Sequence, residues 1–195
     1  MQVTPRAIDG EIFEYTDLFG DTRRYRLNLE DDADAPAPWD NEDGHGPVSG
    51  WERRSKRPGE MILNSDRGSH RFYDFQEAIK IARRDDWNSC NVATKDATKG
   101  QLRTDAVYAD FERLRAWCRD EWRYVGVIVT PLSDNPEQDD ETPTDYAYAV
   151  WGIESDCSDY IKETALELAG EHARAAATEE QEAAYWAARD VVTED

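Results

Sequence analysis

The chain has few of the residues from which cofactor, metal and redox sites are built: three cysteines, three histidines and two methionines among 195 residues. Cys90, Cys118 and Cys157 are odd in number, far apart and without a C-x-x-C pair or a histidine cluster nearby. That pattern indicates neither a disulfide framework nor a zinc site, and it fits reduced thiols. No run approaches the roughly 20 apolar residues needed to span a bilayer, and Met1 to Asp9 lacks the basic-then-apolar order of a secretion signal. The expectation is a cytoplasmic protein with no cofactor and no membrane partner.

Positive charge is also scarce, with 23 Lys and Arg against 43 Asp and Glu, a formal charge of −20. Direct association with DNA, RNA or anionic lipid would bring like charges together and forfeit counterion release, so the natural complement is a basic partner. The excess is uneven: +1 over residues 1–8, −9 over 9–43, +2 over 44–60, zero over 61–121 and −14 over 122–195. Adaptation to high salt would spread acids over the whole surface. Two blocks instead indicate a dedicated acidic face.

What is present in quantity is aromatic bulk: seven Trp, nine Tyr and five Phe, within a hydrophobic content of 39%. These supply a packed core despite a charged fraction of 34%. The length suits one domain over residues 1–195, with a loop-rich acidic segment at 30–50 and a C-terminal helical part at 157–192.

Glu11 to Phe19 and Thr22 to Leu29 read as a hairpin around Gly20-Asp21. The Asp-, Pro- and Gly-rich stretch from Glu30 to Gly50 reads as a loop anchored by Trp39, Val48 and Trp51. Strands are expected at Glu60–Asn64 and around Arg71–Tyr73, with the turn Ser65-Asp66-Arg67-Gly68 between them. Asp74, with Glu77 three residues on, caps a helix that gathers Phe75, Ala78, Ile79 and Ala82 on one face. Asp85 to Gly100 reads as a surface connection, after which Thr104 is expected to cap a helix burying Val107, Phe111, Leu114 and Cys118. Tyr124 to Val129 is an apolar run stopped by Pro131, as in a strand buried on both faces, and Tyr146 to Ile153 pairs with it across an acidic loop. Helices are expected at Ser158–Glu171 and Glu179–Val191, the second capped by Thr178 with Gln181. The order implies an α+β fold, an antiparallel or mixed sheet with helices packed mainly on one side.

Asp159, Glu163, Glu167 and Glu171 recur at four-residue intervals, while Ile161, Ala165 and Leu168 take the other side of the same helix. Successive carboxylates lie about 6 Å apart along the axis, close to the roughly 7 Å spacing of phosphates on an extended strand. Like charges at i, i+4 cost about 0.2–0.5 kcal/mol per pair, and the last two acids would face the negative end of the helix dipole. An ordinary solvated face would also tolerate this. The surroundings favour a binding surface: Asp139, Asp140 and Glu141 in the acidic loop, Glu154 and Asp156 before the ridge, and Glu179 and Glu180 after it.

Two other constellations are weaker. Asp40-Asn41-Glu42-Asp43-Gly44-His45 alternates oxygen ligands, but its glycine and acids do not match a calcium loop, and His45, His70 and His172 are scattered. Asp40, Asp43 and His45 nevertheless make a metal-dependent hydrolase a third reading. Arg53, Arg54, Lys56 and Arg57, with Trp51, Arg67 and Arg71, form a basic and aromatic cluster. They either touch nucleic acid or, as we expect, offset the acids of residues 9–43 or line an edge strand. Trp117, Trp122, Trp151 and Trp186 are expected in the core or in subunit contacts.

The blocks Pro38-Trp39-Asp40, Asp43 to Ser49, Asp66-Arg67-Gly68-Ser69, Phe72-Tyr73-Asp74-Phe75 and Trp151 to Asp156 resemble those of small acidic proteins encoded by bacteriophages and prophages, over roughly residues 38–172. The resemblance implies a phage or mobile-element setting inside a bacterial cell, and carries no catalytic residue with it. In that setting compact acidic proteins act as DNA mimics against restriction, CRISPR or repair enzymes. The leading expectation is such an inhibitor, directed at the basic groove of a host nucleic-acid-binding protein and not an enzyme. The alternative is a structural or accessory phage protein acting through oligomerisation, for example as a homodimer.

Overall fold

The computed structural model describes residues 8–40, 44–87, 97–133 and 146–192, with side chains as far as Ala184. The chain gathers into two compact units, Met1–Ala33 with Arg123–Asp195, and Asp34–Trp122. Both are built from antiparallel strands and helices, so the fold is α+β.

The first unit holds β1 (Ile12–Thr16), β2 (Thr22–Asp31), β5 (Tyr124–Pro131), β6 (Ala149–Glu154) and the helix α3 (Ser158–Val192). Its sheet runs β1-β2-β5-β6, antiparallel throughout. β2 and β5 pair directly, Leu27 opposite Val129 and Leu29 opposite Val127, so the whole second unit is inserted in the connection between two neighbouring strands. The apolar run of β5 is buried from Val125 to Val129, as its composition requires. β6 carries an extra residue opposite β5, at Trp151-Gly152, where Gly152 takes a φ of +80°. A Cβ on Gly126 would lie 2.5 Å from the Trp151 ring, so that glycine lets the indole lie flat on the strand.

One face of this sheet is covered by α3. Ile161, Ala165, Leu168 and Ala169 pack against Tyr25, Leu27, Val125, Val127, Val129 and Ile153. This is the buried side expected from the spacing of Ile161, Ala165 and Leu168.

Two expectations about helix ends are corrected. α3 is one helix of 35 residues, about 50 Å long, not two. The segment 172–178 reads His-Ala-Arg-Ala-Ala-Ala-Thr, without glycine or proline and rich in the best helix former, so nothing stops propagation. Thr178 is therefore internal, and its hydroxyl donates to the Arg174 carbonyl one turn back at 3.0 Å.

The second unit contains β3 (Glu60–Asp66), β4 (Ser69–Asp74), α1 (Phe75–Arg84) and α2 (Lys99–Trp117), with a short 3-10 turn at Pro38–Asp40. β3 and β4 form a hairpin longer than expected. Its two-residue turn, Arg67-Gly68, has φ of +44° and +82°, the conformation that matches the twist of the strands. Asp74 caps α1 by accepting from the Glu77 amide at 2.9 Å, as predicted. For α2 the cap is Thr98, not Thr104. Thr98 has Gln101 three residues on and forms a reciprocal capping box, whereas Thr104 has Val107 there and its hydroxyl turns back to Gly100. The core joins Leu63, Tyr73, Ala78, Ala82, Val107, Phe111 and Leu114, with Trp39 and Val48 packed against it.

Asp110 of α2 ties the 44–47 loop to this core. Its carboxylate accepts from the Tyr73 hydroxyl at 2.6 Å, the Gly46 amide at 2.8 Å and His45 Nδ1 at 2.5 Å, while its side chain is 7% exposed. Burial, and then the charge and hydrogen bond of Asp110, push the Tyr73 phenol far above its ordinary pKa, so it stays a donor. A Cβ on Gly46 would lie 2.3 Å from the Tyr73 oxygen. Asp110→Ala strands three donors at once and is expected to destabilise the protein by on the order of 3 kcal/mol, read as a lower urea midpoint. A midpoint unchanged within error would show that the cluster is not holding the loop.

Candidate functional site

The charge divides with the units. Residues 1–33 carry −4 and residues 123–195 carry −14, so the first unit holds −18 and the second only −2. Within the first unit, the four-step acids all face solvent on α3 and line one open trough of about 870 Å³. Asp159, Glu163, Glu167 and Glu171 share it with Tyr15 of β1 and with Lys162, Leu166 and Arg174. Gly170 makes room for the contact with the strand, since a Cβ there would meet the Tyr15 hydroxyl at 2.9 Å. Among the described residues, none of the four acids forms an ion pair.

The ridge is not straight. A four-residue step overshoots one helical turn by about 40°, so the four carboxylates sweep roughly 120° around the axis as a slanted row. Because α3 continues to Val192, Glu167 and Glu171 sit in its interior, away from the dipole end that the sequence reading assigned them. The like-charge spacing is the cost that remains.

The other predicted residues are placed unevenly. Glu154 is half-buried at the end of β6 and accepts from the Cys157 thiol at 3.5 Å; Asp156 is exposed beside it. Ligand atoms of Glu154, Asp156 and Cys157 lie within 4.8 Å of one another, a juxtaposition made by the turn into α3 that no spacing rule flags. Glu179 is exposed, whereas Glu180 is turned back onto the sheet by an ion pair with Arg23 at 3.0 Å. Asp139, Asp140 and Glu141 lie outside the described residues, as does Asp43 of the hydrolase reading. His45 of that reading is engaged by Asp110 instead. Cys118 and Cys157 are free thiols.

Within the basic cluster, Arg54 finds its partners locally. Arg54 pairs with Glu52 at 2.6 Å and with Glu60 at 2.6 Å, acids of its own neighbourhood and not those of residues 9–43. Arg54 holds the Glu60 carboxyl down at about 2. Arg71 lies over the rings of both Trp39 and Trp51, 5.1 Å from each centroid. Trp122 is buried, Trp117 meets Trp39 edge-on, and Trp151 is 44% exposed. The side chain of Trp186 lies outside the described residues.

Sequence reasoning missed a second feature of α3. His172 is wedged between the sheet and the helix, its Nδ1 3.0 Å from the buried Tyr25 hydroxyl and its ring edge-on to Tyr25 and Tyr148. Burial, then the nearby Arg23 charge, lowers its pKa below the ordinary 6.5, against a smaller opposing effect of Glu179. Comparisons with protein families, curated proteins and solved structures return no match. Among the described residues no helix is long and apolar enough to cross a membrane.

Because the folded state prefers neutral His172, its contribution to stability is present above about pH 6.5 and is lost as pH falls towards the lower folded-state value. Urea midpoints of wild type and His172→Gln between pH 7.5 and 5 are expected to differ in slope, the variant losing less on acidification. Parallel slopes would remove His172 from the acid response.

Proposed function

We propose that the acidic face of the first unit, centred on the α3 row, occupies the basic groove of a host nucleic-acid-binding protein and so inhibits it. The observation that carries this reading is the segregation of −18 of the −20 charge into one unit, with four carboxylates lining one trough and without ion pairs among the described residues. Axial spacing of about 6 Å along a slanted row offers a basic groove carboxylates where it would otherwise meet phosphates. The resemblance to phage and prophage proteins supplies the setting, a bacterial cell in which restriction, CRISPR and repair enzymes present such grooves. On this reading the protein binds no nucleic acid itself and is not an enzyme.

Complementary charge speeds encounter and excludes wrong partners more than it adds affinity, so capture should weaken steeply with salt. The triple variant Glu163→Lys, Glu167→Lys, Glu171→Lys is expected to bind the captured host protein about 100-fold less well, since juxtaposed like charges cost several kcal/mol. Its circular dichroism should not change, because all three positions are exposed. Capture from host lysate at two salt concentrations, followed by titration of the purified partner, measures both. Undiminished binding by the triple variant sinks the reading.

The second reading, an accessory protein acting through self-association, draws on exposed apolar groups: Leu18 and Phe19 at the β1–β2 tip, Trp51 and Trp151. A stable symmetric oligomer whose mass by light scattering is insensitive to salt would favour it over the first.

A further inference from the structure

Beside the acidic trough lies a smaller recess of different character. It has a volume of about 150 Å³ and opens between the edge strand β1 and α3. Phe13, Leu27, Ala165 and Leu166 wall it, with Glu11 and Glu14 also lining it. Lys162 and Leu166 line both the recess and the trough, so the two form neighbouring parts of one surface. Leu166 is 49% exposed at the margin of the buried stripe, so about half of a large apolar side chain stays in water. Lys162 reaches Glu11 at 3.6 Å and leaves Glu14 without an ion pair among the described residues.

The recess is open to solvent, and its volume is about that of an enclosed cavity that takes up one benzene ring. The occupant of this surface must therefore satisfy two conditions at once: one apolar side chain for the recess, and positive charge beside it for the trough. Nucleic acid fails the second condition. A second copy of a chain carrying −20 fails it as well, since Arg54 in its short basic stretch at Arg53–Arg57 is already paired with Glu52 and Glu60. A neutral apolar peptide fills the recess but gains nothing from the row of acids.

We infer that this surface binds a Lys- and Arg-rich protein segment that carries a single apolar anchor, aromatic or leucine-sized, seated between Phe13 and Leu166. The inference rests on the acidic-face reading above and gives it a partner chemistry. The acids bring the segment in and the recess selects it. A groove lined only with cations and no protruding apolar group is then a poor target.

The test uses the full chain and two fluorescent probes, a short Lys/Arg peptide with one central Phe and the same peptide with Ala in its place. Anisotropy titration at low salt should show the Phe probe binding about 10- to 100-fold more tightly, the range expected for burying one such side chain. Leu166→Asp removes one wall while adding negative charge. Simple electrostatics predicts equal or tighter binding of both probes to this variant; the recess predicts that the Phe preference disappears. Leu166→Ser provides the same test without the added charge, should the aspartate variant not fold. Equal binding of the two probes to wild type, or a Phe preference that survives both Leu166 substitutions, overturns the inference. In either case salt-sensitive capture of the host protein, and its loss in the triple lysine variant, would leave the acidic-face reading standing. Failure of both probes to bind at low salt would sink both.

Discussion

The arrangement of the first unit follows from one act of burial, the packing of Ile161, Ala165, Leu168 and Ala169 of α3 against β2 and β5. Each large aliphatic side chain removed from water contributes about 1.5–3 kcal/mol, and together they fix both the height and the rotation of the helix on the sheet. Once that stripe is inward, with Thr164 buried beside it, Lys162, Glu163, Leu166 and Glu167 between its members face solvent. Asp159, Glu163 and Glu167 each stand two residues before a buried position, Ile161, Ala165 and Ala169. The acidic row is thus held in register by the hydrophobic row. The same docking brings Tyr15, Phe13 and Leu27 alongside α3 and creates the trough and the recess.

Much of this was legible in the sequence because it depends on periodicity. The apolar run of Tyr124 to Val129, the Asp74 cap and the split of α3 into buried and charged positions are all local patterns that tertiary packing had no reason to override. The errors came where two local signals competed. Thr98 and Thr104 both offer a hydroxyl, and only the position of Gln101 decides between them. Thr178 has a capping-box partner in Gln181, but a cap acts only where the preceding residues leave the helix, and an alanine-rich segment does not leave it. Asp110 could not be read at all. Its partners His45 and Tyr73 lie 65 and 37 residues away, and an aspartate on an amphipathic helix looks solvated until the fold brings donors to it. The recess is illegible for the same reason, being formed by β1, β2 and α3 together.

Electrostatic range decides how the acids act. At physiological salt charges are screened over about 8 Å, so neighbours in the row, about 6 Å apart along the axis, feel one another while opposite ends do not. The row therefore behaves as a chain of short-range repulsions, each of a few tenths of a kcal/mol, and not as one rigid field. A bound cation beside any pair relieves the repulsion on both sides of it. This cost in the free protein is returned on binding, which makes the row more favourable to a multivalent basic partner than to isolated ions.

Charge of this kind excludes acidic partners but does not discriminate well among basic ones, because long Lys and Arg side chains can satisfy a slanted row of carboxylates in many registers. Lifetime depends more on dissociation than on encounter, and dissociation is governed by groups that must be pulled out of a fitted site. A single apolar side chain in the recess would fix one register out of many and lengthen the complex without adding area. Leu166 has the right position for this because it stands within the acidic row and beside the apolar wall of Phe13 and Ala165. On the proposed reading, the helix that carries the charge would thereby also carry the means to make that charge selective.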